Sequence, residues 1–282
     1  MNVLGHYTKF DHLEKMLNAN SMLSEEPNLF FRANSAFCMD DQMEMNYGYP
    51  FIKNVLEEYE KQNDLPSEQC LSSIFNGVPQ HISCPNEQYY LSESRTPFVL
   101  SFSHNVNSEF MWNKYGEDGK GICLVFDADK IKSLSCQESD TYLFDVAYLS
   151  KDCDYTIWQA IVKAIEEKAN ECKAIIPIIK YKSDIPRFKE NILECLCPVI
   201  SAVIKEYQYS SEEEVRWISI QDGKLAKEWN CKGTIRKYID IQIPLSYLIG
   251  IYFGKNFNHN EELLNLCQNY HISLEQSQIK YQ

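Results

Sequence analysis

The run Gly121-Ile122-Cys123-Leu124-Val125-Phe126 carries no charged side chain. Successive side chains of a strand point to opposite faces, so a strand this apolar has to be covered on both sides. It therefore reads as the central strand of a sheet with packing layers above and below. Shorter strand patterns surround it: residues 2–8, 21–23, 29–32, 98–103, 142–148, 212–220, 236–243, 248–253 and 271–276. Helical spacing appears over residues 11–17, with Asp11 as N-cap, and over 40–47 and 51–61. It recurs over 108–115, capped by Ser108, over 155–172, over 187–208 with a kink at Pro198, and over 260–269. Strands cluster at both ends of the chain with helices between. This distribution predicts an α+β fold with a mixed, mostly antiparallel sheet rather than a βαβ array.

The 282 residues are read as one domain, 1–282, enlarged by insertions. Pro66, Gly77, Pro79 and Pro85 mark 63–93 as a surface insertion, and 155–208 is read as a helical one. Hydrophobic residues at 44% and aromatics at 13% supply a sizeable core. A formal net charge of −13 repels phosphate backbones, so general DNA binding is not expected.

The 11 cysteines are an odd number, and the N-terminus shows neither a basic nor an apolar leader. Reduced thiols and a cytoplasmic location are the expectation, with Cys195 and Cys197 as buried thiols. No CxxC pair or zinc-finger spacing occurs, so no metal site is expected. The longest apolar run, near 192–204, is broken by Glu194 and Pro198, so no membrane association is expected. Neither the GxGxxG nor the GxxxxGK[ST] phosphate-binding motif is present.

Several segments carry groups suited to chemistry. His6 closes the first strand beside Tyr7 and Thr8, where an imidazole can bind a ligand hydroxyl or simply satisfy a backbone group. Ser101 and Ser103 share one strand face and can orient a sugar. Trp112 and Tyr115 lie three apart on a helix face and form a platform for a planar ring, unless Trp112 is core. Alternation sends Glu212, Glu214 and Arg216 one way and Val215 and Trp217 toward the core. That charged face suits a sugar or phosphate, or else is an exposed ion pair worth at most about 1 kcal/mol. Asp40, Asp41 and Glu44 read as a helix start; a divalent-ion nuclease cluster is the weaker alternative, and the net charge opposes it.

The order of these blocks resembles the bacterial domain-of-unknown-function family 2971. The carrying residues are His6-Tyr7-Thr8, residues 34–44, Ser101-Phe102-Ser103, Met111-Trp112-x-x-Tyr115-Gly116, the apolar run ending in Asp127, Glu212-x-Glu214-x-Arg216, and the tail from Arg236 to Gly254. That family in turn looks like a distant branch of the ADP-ribosyltransferase fold. The resemblance implies NAD as substrate, and an ADP-ribosyltransferase or NAD glycohydrolase of the toxin or phage-defence kind. It further implies a protein or nucleic-acid acceptor for any ADP-ribose. A non-catalytic nucleotide- or protein-binding module on the same fold is the alternative.

By position, the resemblance makes His6 the ribose anchor with Thr8 beside it, Glu214 the catalytic carboxylate and Glu212 its pair. Arg216 becomes a pyrophosphate or structural partner, and Ser101 and Ser103 line the NAD cleft. Tyr7, Tyr47, Trp112 and Tyr115 compete for the nicotinamide ring. Arg32 is a second candidate for the cation of the cleft. The assignment requires the His6 imidazole and the Glu214 carboxylate to share one pocket.

Overall fold

The computed structural model describes residues 2–17, 26–39, 48–62, 64, 66–67, 70, 72–75, 96–138, 140–149, 197–231, 233–258, 261–270 and 272–277. In chain order the elements are β1 (Val3–Thr8), α1 (Phe10–Met16), β2 (Asn28–Ser35), α2 (Gly48–Gln62), β3 (Thr96–Ser103), α3 (Glu109–Lys114), β4 (Ile122–Asp127) and α4 (Ala128–Gln137). There follow β5 (Thr141–Asp145), β6 (Ala147–Leu149), α5 (Cys197–Ser201), β7 (Ile204–Glu206), β8 (Glu214–Gln221), β9 (Lys227–Cys231), β10 (Thr234–Pro244), β11 (Leu248–Phe253), α6 (Glu261–Asn269) and β12 (Ser273–Gln276).

The main sheet runs β12-β11-β4-β1-β3-β2-β10-β9, with β8 paired to β3 and β5 to β8. Its pairings are antiparallel except for β11 with β12. A separate pair, β6 with β7, is parallel. The α+β class and the mostly antiparallel sheet expected from the sequence are borne out.

The apolar run is β4, flanked by β1 and β11, and Ile122 to Phe126 are all buried. One face of the sheet holds the larger core. Leu4, Leu124, Phe126, Phe31, Val215 and Trp217 pack there with Leu13 of α1, Ile131 of α4 and Cys267 of α6. The opposite face carries a smaller cluster of Tyr7, Met111, Trp112, Cys123 and Val125. Burying each large side chain such as Trp217 stabilises the fold by about 1.5–3 kcal/mol.

The joint around β3 decides where a ligand can enter. One edge of β3 pairs with β8 along its whole length, from Thr96↔Gln221 to Ser103↔Glu214. The other edge meets β2 at Val99 and Phe98, and β1 at Ser103 alone. Between these contacts, at Leu100 to Phe102, no strand pairs with that edge among the described residues. The sheet therefore parts there.

Several local expectations are corrected. The N-cap of α1 is Lys9, with Asp11 in the first turn, where a carboxylate favours the helix N-terminus electrostatically. Ser108 is the N-cap of α3, but its side chain makes no cap bond. The strand expected over 142–148 breaks at Val146, because β5 joins β8 while β6 joins β7. The helix expected over 187–208 is described only as α5; β7 and a 3-10 turn, Tyr207–Glu212, replace its end. Helix α4, absent from the sequence reading, starts where Asp127 accepts bonds from the Asp129 and Lys130 amides.

The expected elements at 21–23, 40–47 and 155–172 lie outside the described residues, as do Cys195, the Cys197 side chain and most of 63–93. Among the described residues no helix is long and apolar enough to cross a membrane.

Candidate functional site

A cavity of about 690 Å³ sits over the parting beside β3. It is bordered by Gly5, His6 and Tyr7 of β1, Ser101 and Phe102 of β3, Met111 and Lys114 of α3, and Tyr115. Met39, Lys205 of β7, Tyr209, Glu212 and Glu214 complete the wall. The imidazole and the downstream carboxylate thus border one space.

His6 takes the place of a missing strand pair. Its Nδ1 donates to the Ser101 carbonyl at 2.9 Å. The ring meets Phe31 and Phe102 edge-on. Burial lowers its pKa, against the raising effect of the Ser101 bond, so the ring is neutral at pH 7. A neutral ring that donates from Nδ1 keeps Nε2 as an acceptor. His6 therefore satisfies a backbone carbonyl, as one of its two sequence readings expected, and it also borders the cavity.

The floor is a charged cluster. Lys205 Nζ lies 2.6 Å from Glu212 Oε2 and 2.9 Å from Glu214 Oε2. Lys114 Nζ lies 2.5 Å from Glu212 Oε1, to which the Tyr115 hydroxyl also donates at 2.9 Å. Arg216 Nε lies 2.8 Å from Glu214 Oε1 and Nη2 lies 3.0 Å from Oε2, while Nη1 donates to the Ala202 carbonyl at 2.6 Å. Among the described residues, three cations thus face two carboxylates.

The Tyr209 ring stands 4.6 Å from Lys114 Nζ and 5.3 Å from Lys205 Nζ, within reach of cation–π attraction.

The two carboxyls are driven apart. Burial raises the pKa of Glu214, against the lowering pull of Lys205 and a bond from the Ser101 side chain. Burial acts the same way on Glu212, but the bonds from Lys114 and Lys205 outweigh it, and the net shift is downward. Burial also works against the charge on Lys205, yet Glu214 and Glu212 raise its pKa overall. Opposed shifts on neighbouring carboxyls are a mark of acid–base sites, although structural ion pairs produce them too.

Glu212 reaches this cluster by an unexpected route. It ends the 3-10 turn, and Glu213 follows in the left-handed region with φ 42° and ψ 48°. The left-handed step costs a non-glycine residue about 1–2 kcal/mol. Strand alternation is therefore not what aligns Glu212 with Glu214. Ser103 holds the turn by donating its hydroxyl to the Glu212 carbonyl at 2.7 Å. The Glu214 amide donates to the Tyr148 hydroxyl at 2.8 Å, which ties β6 to β8.

Other expected site residues fall elsewhere. Trp112 is 0% exposed, with Tyr7 edge-on at 5.0 Å and its Nε1 donating to Asn107 Oδ1. It is core, so the platform expected from Trp112 with Tyr115 is not available. Tyr115 is 39% exposed and borders the cavity alone. Ser103 and Arg216 are buried behind the wall rather than on it. The Tyr7 hydroxyl is occupied by the Asn105 carbonyl at 2.8 Å, and Thr8 faces a different cavity. Tyr47, Asp40, Asp41 and Glu44 lie outside the described residues.

The sequence reading missed Lys114, Lys205 and Tyr209. Lys205 closes the apolar run Ala202-Val203-Ile204, where a lysine needs an anionic partner, and that was the available signal. Among the described residues no group of His, Cys, Asp or Glu is placed to hold a metal ion.

The fold and cavity define an α+β protein with a buried ion-pair cluster beneath a parted sheet. The family model described as Protein of unknown function (DUF2971) matches residues 111–217, and over this stretch the chain is similar to that family. The match spans Tyr115, Glu212, Glu214 and Arg216, and leaves His6, Ser101 and Ser103 outside. No curated protein and no solved structure matches the chain.

Proposed function

We propose that the cavity binds NAD and that the chain transfers ADP-ribose from it, or hydrolyses it. The observation that carries this reading is that His6 of β1 and Glu214 of β8 border one cavity, on either side of the parting in the sheet. Lys114 and Lys205 border the cavity, and ammonium groups there suit a pyrophosphate. Tyr115 and Tyr209 offer ring faces for nicotinamide or adenine, and Nε2 of His6 can accept a bond from a ribose hydroxyl.

In the proposed reaction the bond between the nicotinamide nitrogen and the ribose C1′ breaks, and its electron pair leaves with nicotinamide. Positive charge develops on the sugar. Water or an acceptor nucleophile then adds to C1′ and gives up a proton. A carboxylate fixed beside the sugar stabilises that charge most in a site poor in water. In the free protein both carboxylates are held by cations. Lys205 turning toward the pyrophosphate would remove one cation from each carboxylate, while Lys114 keeps Glu212 and Arg216 keeps Glu214 in place.

The same ion pairing favours a second reading, a nucleotide-binding module without turnover. Incubation with NAD and chromatographic measurement of nicotinamide separates the two. Nicotinamide release that falls at least about a hundredfold in Glu214→Gln supports the transferase, since such a drop is what losing one transition-state contact produces. Release that is unchanged in Glu214→Gln removes the assigned role of Glu214. Thermal stabilisation by NAD or ADP-ribose without release supports the binding module.

A further inference from the structure

His6 also borders a second cavity, of about 510 Å³, framed by α1, β2 and β9. Its size lies within the roughly 300–1,000 Å³ of small-molecule sites. The groups around it point to an anion attached to a planar ring. Arg32 is held with its guanidinium 4.7 Å from the Tyr238 ring centre and 5.7 Å from that of Trp229. Among the described residues it makes no hydrogen bond or ion pair, and neither does Lys15 of α1, the other cation on this wall. Among the described residues, the one carboxylate there, Asp240, is bonded to Lys227.

In a chain of net charge −13, two uncommitted cations facing one small cavity are a local reversal of sign. Two further wall residues have unmet hydrogen-bonding atoms. Among the described residues, the Trp229 indole Nε1 and the Asn34 Oδ1 are buried without a partner. A buried polar atom left unpaired costs about 1–3 kcal/mol, which a bound donor–acceptor group or a water recovers. Phe30 and Met16 add an apolar face.

We infer that this second cavity is a separate binding site for a free mononucleotide, with its phosphate on Arg32 and Lys15 and its base against the apolar and indole side. The site is independent of whether the first cavity takes NAD. Stacking on two rings presents the guanidinium edge to a phosphate in a fixed direction, which a lone surface lysine does not do.

The test is isothermal titration calorimetry of the full chain with adenosine monophosphate. The expected result is saturable binding that weakens about tenfold or more in Arg32→Ala, the loss of one charge-assisted contact. Trp229→Phe, which keeps a ring but removes the indole N–H, is expected to weaken it several-fold. Lys114→Ala, at the first cavity, is expected to leave it unchanged, as is saturating NAD.

Four results overturn the inference: no binding at millimolar nucleotide, loss of binding in Lys114→Ala with Arg32→Ala unaffected, competitive displacement by NAD, or tighter binding of a 5′-phosphorylated oligonucleotide than of the monophosphate. Displacement by NAD would make the two cavities one dinucleotide site. Preference for the oligonucleotide would make the natural ligand a nucleic-acid end.

Discussion

Arg216 grips Glu214 from two residues along the same strand, with Nε 2.8 Å from Oε1 and Nη2 3.0 Å from Oε2. Both side chains are buried. The planar fork matches the carboxylate, so the pair is fixed before any ligand arrives. Replacing Arg216 with Met leaves the buried Glu214 carboxylate to Lys205, without its two-point partner. The expected cost is about 3–5 kcal/mol, read as a lower urea midpoint. Arg216→Lys is expected to recover only part of it, since an ammonium cannot reproduce the fork or reach the Ala202 carbonyl as well. Equal stability of Arg216→Lys and wild type would show that the two-point geometry is unimportant.

Lys205 should set the pH window of stability. Its folded pKa is raised above the unfolded value, so its contribution is full below that value and fades as pH rises into the alkaline range. The Glu212 shift is downward, so its contribution is present above the ordinary carboxylate range and is lost as pH falls through the lowered value. The Glu214 shift is upward, which opposes this trend in mild acid. The prediction is that Lys205→Met lowers stability by about 3–5 kcal/mol at neutral pH and shows a smaller deficit near pH 4, where carboxyls protonate. Melting temperatures across a pH series check it.

His6 titrates in the opposite sense to a salt-bridged histidine. Burial lowers its pKa, so the unfolded chain binds the proton more tightly and stability falls as pH drops below the usual imidazole range. His12, whose pKa burial also lowers, adds to the same slope. Replacing His6 with Gln should flatten the loss of stability between neutral pH and pH 5 without removing it. A slope identical to wild type would mean that His6 is not the buried neutral ring described.

Trp112 and Tyr115 should separate cleanly. Trp112→Ala empties a fully buried site and is expected to cost about 3–5 kcal/mol in urea unfolding. Tyr115→Ala should cost far less stability but weaken NAD binding in the first cavity, measured by thermal shift. The reverse pattern would restore Trp112 as the ring platform.

Much of this molecule was legible in its sequence. The uninterrupted apolar character of Ile122 to Phe126 required cover on both faces, and β4 has it. The alternation of Val215 and Trp217 against Glu214 and Arg216 gave the correct core side of β8. The placement of His6 in the first strand marked a residue that does border a cavity. Each of these is a statement about which way a side chain faces, and facing follows from local period.

Tertiary structure decided what those side chains meet. Lys114 and Glu212 lie 98 residues apart, and only the packing of α3 against the turn before β8 joins them. The break at Val146 and the left-handed Glu213 have no counterpart in residue spacing: β5 pairs with β8 while β6 pairs with β7, and Glu213 joins the turn to β8. Trp112 and Tyr115 share a helical period, yet one is core and the other borders a cavity, since neighbouring layers cover one and leave the other open. Sequence by itself determined the fold class and the buried faces of strands such as β4 and β8, which follow from local period. The order of strands brought the charged groups together, and that order is a property of the whole sheet.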